Sequence, residues 1–182
     1  MKKYKHEIFT IPNLLSLSRI IMIPIIVWLF YQKQDYLLTL IVFVISSLTD
    51  IIDGYIARHY HMVTKFGKIL DPIADKITQF TLMVCLVKIH PLTLYLLIAL
   101  IIKEFCMALM GLFALAHDIA DSAKWYGKLS TVVIFICIIL HLLIVDMTTH
   151  LSLFLIIITL GFMSLSLVMY ARQYYLAYKN KQ

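Results

Sequence analysis

Charge is scarce in this sequence. Only 14% of its 182 residues are Asp, Glu, Lys or Arg, against about a quarter in a soluble domain. With 62% of the residues hydrophobic, a water-soluble globule is excluded and a polytopic membrane protein is indicated. Glycine and proline are equally few, at 5 and 4, and form no linker. No low-complexity tract or repeat period is visible, so residues 1–182 are expected to form a single membrane domain. The three cysteines, Cys85, Cys106 and Cys137, each lie inside an apolar run, which suits a small buried hydrophobe and excludes both a disulfide framework and a cysteine metal cluster. The formal charge of +6 is spread between apolar runs instead of gathering on one element, which argues against nucleic acid as a partner. The opening MKKYKHEIFT is basic and precedes an apolar run without a small-residue cleavage site, as an uncleaved first span does.

What the chain does have is apolar length. A helix needs about 20 residues to cross the hydrocarbon core, and six stretches reach that scale: 11–31, 36–58, 68–87, 92–116, 124–145 and 151–175. Open strands cannot satisfy their backbone in lipid, and barrel-like alternation is missing. The expected fold is therefore an all-α integral membrane protein of six transmembrane helices with short connections. A cytoplasmic N-terminus places Lys2, Lys3, Lys5, Arg58, Lys65, Lys68, Lys124, Lys128, Arg172, Lys179 and Lys181 on or near the cytoplasmic side and leaves Lys33 and Lys88 on the other. That imbalance predicts a multi-pass protein of the cell membrane with both termini cytoplasmic.

Against this background one stretch stands out: DIIDGYIARHYHMVTKFGKILDPIAD, from Asp50 to Asp75. A charge at bilayer depth costs roughly 2.5–3.5 kcal/mol on insertion scales, so Asp50, Asp53, Asp71 and Asp75 together could cost on the order of 10 kcal/mol without compensation. On helices, Asp50 and Asp53 fall at i and i+3, and Asp71 and Asp75 at i and i+4, so each helix offers one carboxylate pair. Two pairs meeting face to face make an all-oxygen anionic pocket suited to hard divalent cations such as Mg2+ or Mn2+, and unlike a zinc site it has no Cys or His at ligand spacing. Gly54 and Gly67 remove side chains where a ligand or the facing helix would approach. The same charge imbalance places the pocket in the cytoplasmic half of the membrane.

Written as D-x2-D-G-x2-A-R-x8-G-x3-D-x3-D, the stretch fills every fixed position, with Asp50, Asp53, Gly54, Ala57, Arg58, Gly67, Asp71 and Asp75. This pattern resembles that of the CDP-alcohol phosphatidyltransferases, membrane enzymes of phospholipid biosynthesis. The resemblance implies CDP-diacylglycerol as donor, CMP as product and two Mg2+ or Mn2+ ions. Asp50, Asp53 and Asp71 would be the main metal ligands, while Asp75 would complete the second metal or act as the base that takes the acceptor's hydroxyl proton. Gly54, Ala57, Arg58 and Gly67 would shape the pocket for the CDP moiety. Enzymes of this resemblance are commonly homodimers.

Acceptor identity has to come from the remaining spans. The opening IPNLLSLSRI is similar to the phosphatidylglycerophosphate synthase and cardiolipin synthase branches, and Arg19, about two turns inside its span, requires a carboxylate or phosphate partner. Asn13 would approach the same site. In the fourth span, Lys103 and Glu104 are neighbours pointing about 100° apart, so each is expected to find a partner on another element. The branch usually has Arg-Glu-Phe where this chain has Lys103-Glu104-Phe105, which replaces a fork by a point charge. Gly127-Lys128-Leu129-Ser130-Thr131 resembles the Gly-Lys-Leu-Lys-Thr of glycerophosphate-using enzymes, with Lys124 one turn before Lys128. Together with Arg172, the lysines Lys103, Lys124 and Lys128 favour an acceptor that carries a phosphate, glycerol 3-phosphate first and phosphatidylglycerol as its rival. In the last span Gly161, Ser164 and Ser166 would permit close helix packing. A cation-coupled transporter is the competing class, but the two halves show no repeat and the acids sit at one edge of two consecutive spans.

Overall fold

Six long helices carry the described chain in this computed structural model, which describes residues 11–60, 64, 67–117 and 125–179. Among these residues there is no strand. The helices are α1 (Ile11–Trp28), α2 (Tyr36–His59), α3 (Gly67–Ile89), α4 (Leu94–Ala116), α5 (Trp125–Leu143) and α6 (Thr149–Lys179), each within a few residues of the expected span. Five are long and apolar enough to cross a membrane. The sixth, α3, carries Asp71, Asp75, Lys76 and Lys88, and that charge is what sets it apart. Large apolar side chains face outward along the helices; Leu115 is 76% exposed and Val168 65%. Such surfaces would be untenable in water and suit lipid.

The chain divides into two compact units, Met1–Cys85 and Leu86–Gln182. In the first, Pro24 has no N–H to give to the α1 ladder, and the helix runs on for four residues into a widened turn, Leu29–Lys33. Gln34 then takes a left-handed conformation (φ 54°), and Asp35 caps α2, its Oδ1 accepting from the Leu38 N–H at 2.8 Å. Phe30, buried at this corner, meets the Tyr36 ring edge-on at 5.1 Å. Some hydroxyls within the spans bond back to their own helix, as Ser47 does to the Phe43 carbonyl and Thr78 to the Ala74 carbonyl, which leaves these two satisfied without water.

In the second unit α6 packs along both α4 and α5. Its 31 residues span about 46 Å, well beyond a hydrocarbon core of about 30 Å. At the end where α5 finishes and α6 begins, His141 is wholly buried: Nδ1 donates to the Cys137 carbonyl (2.8 Å) and Nε2 lies 3.1 Å from the Ser152 hydroxyl. His90 Nε2 donates to the His141 carbonyl at 3.2 Å, with the rings edge-on at 4.9 Å. At the opposite end Tyr126, Tyr170 and Tyr174 bury their rings with Ala114, and the Tyr126 hydroxyl donates to Gln173 Oε1 at 2.5 Å.

That tyrosine cluster explains Gly127. A Cβ there would stand 2.5 Å from the Tyr170 hydroxyl and 3.0 Å from its ring, and Tyr170 is buried and has little room to yield. Gly127→Ala is therefore expected to destabilise the protein by about 1–3 kcal/mol in thermal unfolding of the detergent-solubilised protein. Gly111→Ala, with nothing within 4 Å of its Cβ position, serves as the control and should cost nothing measurable. Gly161 also has open space where a Cβ would be, so the close packing expected of it is not found among the described residues: α6 borders a cleft there, lined by Ile102, Lys103, Met163 and Ser164.

Candidate active site

Two helices of the first unit deliver the acids. Asp50 and Asp53 lie one turn apart near the end of α2, and Asp71 and Asp75 one turn apart at the start of α3. The α3 start is fixed by Thr64, whose hydroxyl accepts the Gly67 N–H at 2.9 Å. Three of the four carboxylates converge on Arg19 of α1. Its Nη1 is 2.5 Å from Asp50 Oδ1, and its Nη2 is 3.1 Å from Asp53 Oδ2 and 3.8 Å from Asp71 Oδ1. One turn before it, the Ser16 hydroxyl donates to Asp71 Oδ1 and lies 3.3 Å from Asp53 Oδ2.

Burial grades the three acids. Arg19 and Asp53 are each only 2% exposed, whereas Asp50 and Asp71 are 41% and 38% exposed. The Arg19–Asp53 pair is thus the buried root of the cluster, and Asp50 and Asp71 form its open rim. Asp75 lines a narrow cleft with Arg19, Ser46, Asp50 and Thr78. Three of the four expected acids therefore meet one guanidinium while Asp75 shares a cleft with it, and Arg19 has the carboxylate partners that its depth in the span demanded.

Ser16 was not singled out by the sequence. The signal was present, since Ser16 and Arg19 lie at i and i+3 and share a face of α1, but a serine within an apolar helix carries no charge to flag it. Gly67 is buried, and Gly54 follows Asp53 directly. The side chains of Asn13, Ala57 and Arg58 lie outside the described residues, as does Lys124.

The donor set fits a hard divalent cation in kind. It is all oxygen, supplied by two helices, and gathered within 3.8 Å of one guanidinium. Among the described residues no group of three or more His, Cys, Asp or Glu stands ready-made around a single point, because the carboxylates are drawn onto Arg19. Three carboxylates facing one guanidinium keep an excess of negative charge, which is what a cation site requires.

The basic residues expected to hold an acceptor belong to the second unit. Lys103 is buried in α4, and its Nζ sits 3.1 Å from Glu104 Oε1. The expectation that these neighbours cannot pair is thus corrected: both side chains are long enough to curl toward each other across the 100° between them, which keeps both charges compensated in an apolar span. Lys128 and Arg172 are exposed. They flank the tyrosine cluster, Lys128 next to Gly127 on α5 and Arg172 two residues beyond Tyr170 on α6. His59 closes α2 and stacks on Tyr55 at 5.5 Å.

Comparison with known proteins places this arrangement in context. The family model described as CDP-alcohol phosphatidyltransferase matches residues 9–172, and so takes in α1 with Arg19 as well as both acidic pairs. A CDP-diacylglycerol–glycerol-3-phosphate 3-phosphatidyltransferase of Aquifex aeolicus is 33% identical over 126 residues, 66% of this chain and 68% of that protein. The Bacillus subtilis protein of the same name is 32% identical over 137 residues, 68% of this chain and 71% of its own. The one from Rickettsia typhi reaches 46% over 80 residues, and there the match spans only 43% of this chain and 45% of the relative. With a family model running from the start of α1 to the tail of α6, and with the eight-residue motif intact on α2 and α3, the chain belongs to the CDP-alcohol phosphatidyltransferase family.

Proposed function

We propose that the protein transfers the phosphatidyl group of CDP-diacylglycerol to glycerol 3-phosphate, forming phosphatidylglycerophosphate and releasing CMP. The observation that carries this reading is the convergence of Asp50, Asp53 and Asp71, from two consecutive helices, on the Arg19 guanidinium. The acceptor follows from the names of the relatives and from the basic residues of the second unit.

Asp50, Asp53 and Asp71 would hold two Mg2+ or Mn2+ ions, with Asp75 as a fourth ligand. When bound, such ions supply the charge neutralisation that a departing CMP needs. The acceptor hydroxyl oxygen bonds to the phosphorus nearer the lipid, the bond from that phosphorus to the CMP oxygen breaks, and the hydroxyl proton passes to a carboxylate, for which Asp75 is the candidate. Gly54, Ala57, Arg58 and Gly67 shape the CDP pocket. Lys103, Lys124, Lys128 and Arg172 favour the acceptor's phosphate. The chain acts as a single domain in the cell membrane with both termini cytoplasmic, and as a homodimer.

The test is CMP release from purified protein supplied with CDP-diacylglycerol and Mg2+. Release is expected with glycerol 3-phosphate and not with phosphatidylglycerol. Release with phosphatidylglycerol alone would move the protein to cardiolipin synthesis and remove the role given to the lysines; silence with every alcohol would reopen the transporter reading.

A further inference from the structure

We propose that Arg19 is a built-in counter-cation of the carboxylate site, which a divalent ion must displace, so that metal binding and release of the guanidinium are one exchange. The proposal rests on the metal-site reading above. Arg19 Nη2 faces Asp53 Oδ2 and Asp71 Oδ1, at 3.1 and 3.8 Å, and these are the oxygens that α2 and α3 turn toward each other. A divalent ion shared between the two helices needs the same oxygens at about 2.0–2.6 Å. It would meet a positive charge already seated there, on a side chain that is only 2% exposed. The two cations cannot both occupy it.

A second observation points the same way. Arg19 Nε is buried with no hydrogen-bond partner among the described residues, so the guanidinium is held by charge while part of its donor fork is unused. A side chain placed for permanent structure would be expected to satisfy all of its donors. Arg19 also answers a problem set by the sequence: the acids lie on apolar helices and need a compensating charge whenever no metal is bound. An internal cation neutralises them in that state and leaves when the metal enters. The apparent metal affinity is then reduced by the fraction of molecules in which Arg19 has moved out.

The experiment is Mn2+ titration of the full chain in detergent, without substrate, reading free Mn2+ by electron paramagnetic resonance, with thermal unfolding measured with and without Mn2+. Arg19→Gln is expected to bind Mn2+ about tenfold or more tighter than wild type and to gain more in Tm from Mn2+. Arg19→Lys, which keeps a charge but not the fork, should fall between the two, and it decides the matter if Arg19→Gln does not stay folded without metal. Equal or weaker Mn2+ binding in these variants, with wild type binding normally, overturns the exchange and leaves the metal site standing. No Mn2+ binding by wild type overturns the site reading itself, and the exchange with it.

Discussion

Asp71→Asn is expected to abolish transfer while leaving the protein inserted and folded. The loss of CMP release should be at least about 10^3-fold, equivalent to about 4 kcal/mol of transition-state stabilisation. The reasoning separates two roles that the carboxylates play. Of the three acids that meet Arg19, Asp71 is the most loosely tied, at 3.8 Å, it is 38% exposed, and an amide oxygen there can still accept from Ser16, so the fold depends little on its charge. As a proposed main ligand on the α3 side of the site it cannot be replaced by its amide, because an oxygen without charge cannot balance a metal that must in turn neutralise CMP. Membrane insertion and Tm close to wild type, together with absent turnover, are the expected pair of results. A variant that turns over normally would reduce Asp71 to part of a structural cluster.

Asp53→Asn should behave in the opposite order, with stability failing along with activity. Asp53 is 2% exposed, accepts from Arg19 Nη2 at 3.1 Å, and lies 3.3 Å from the Ser16 hydroxyl. Removing its charge leaves a buried guanidinium relying on two acids at the rim, and breaking a buried pair from one side costs about 3–5 kcal/mol. Asp50→Asn, at a position 41% exposed, should cost about 1 kcal/mol or less, since solvent already screens that ion pair. Thermal unfolding of the three variants in detergent without added metal checks the ranking: Asp53 most damaging, Asp50 and Asp71 mild. Equal losses at all three would mean that burial does not grade the cluster as described.

Much of this was legible in the chain because a membrane simplifies the reading. Lipid allows helices and closed barrels only, so runs of about 20 apolar residues translate into helices with little ambiguity, and all six elements fall where the runs lie. The acids were legible for a related reason, since four carboxylates next to apolar spans require an explanation, and their i, i+3 and i, i+4 spacing puts each pair on one helix face. What did not follow was partner choice. Lys103 and Glu104 were assigned to distant partners because helix geometry points their Cβ atoms apart, yet a four-carbon and a two-carbon stem bridge that angle when the alternative is an unpaired charge in lipid.

The sequence alone therefore determined the helices, the membrane class and the identity of the acidic motif, because each depends on spacing along one chain and on the cost of charge in an apolar medium. Only the tertiary structure decided that α1 brings Arg19 and Ser16 onto acids 31 to 55 residues away, that His90 and His141 share a buried network, and that Tyr170 sits where a Cβ of residue 127 would be. These are contacts between elements, fixed by how helices pack their faces together, and no periodicity within a single helix encodes which neighbour a face will meet.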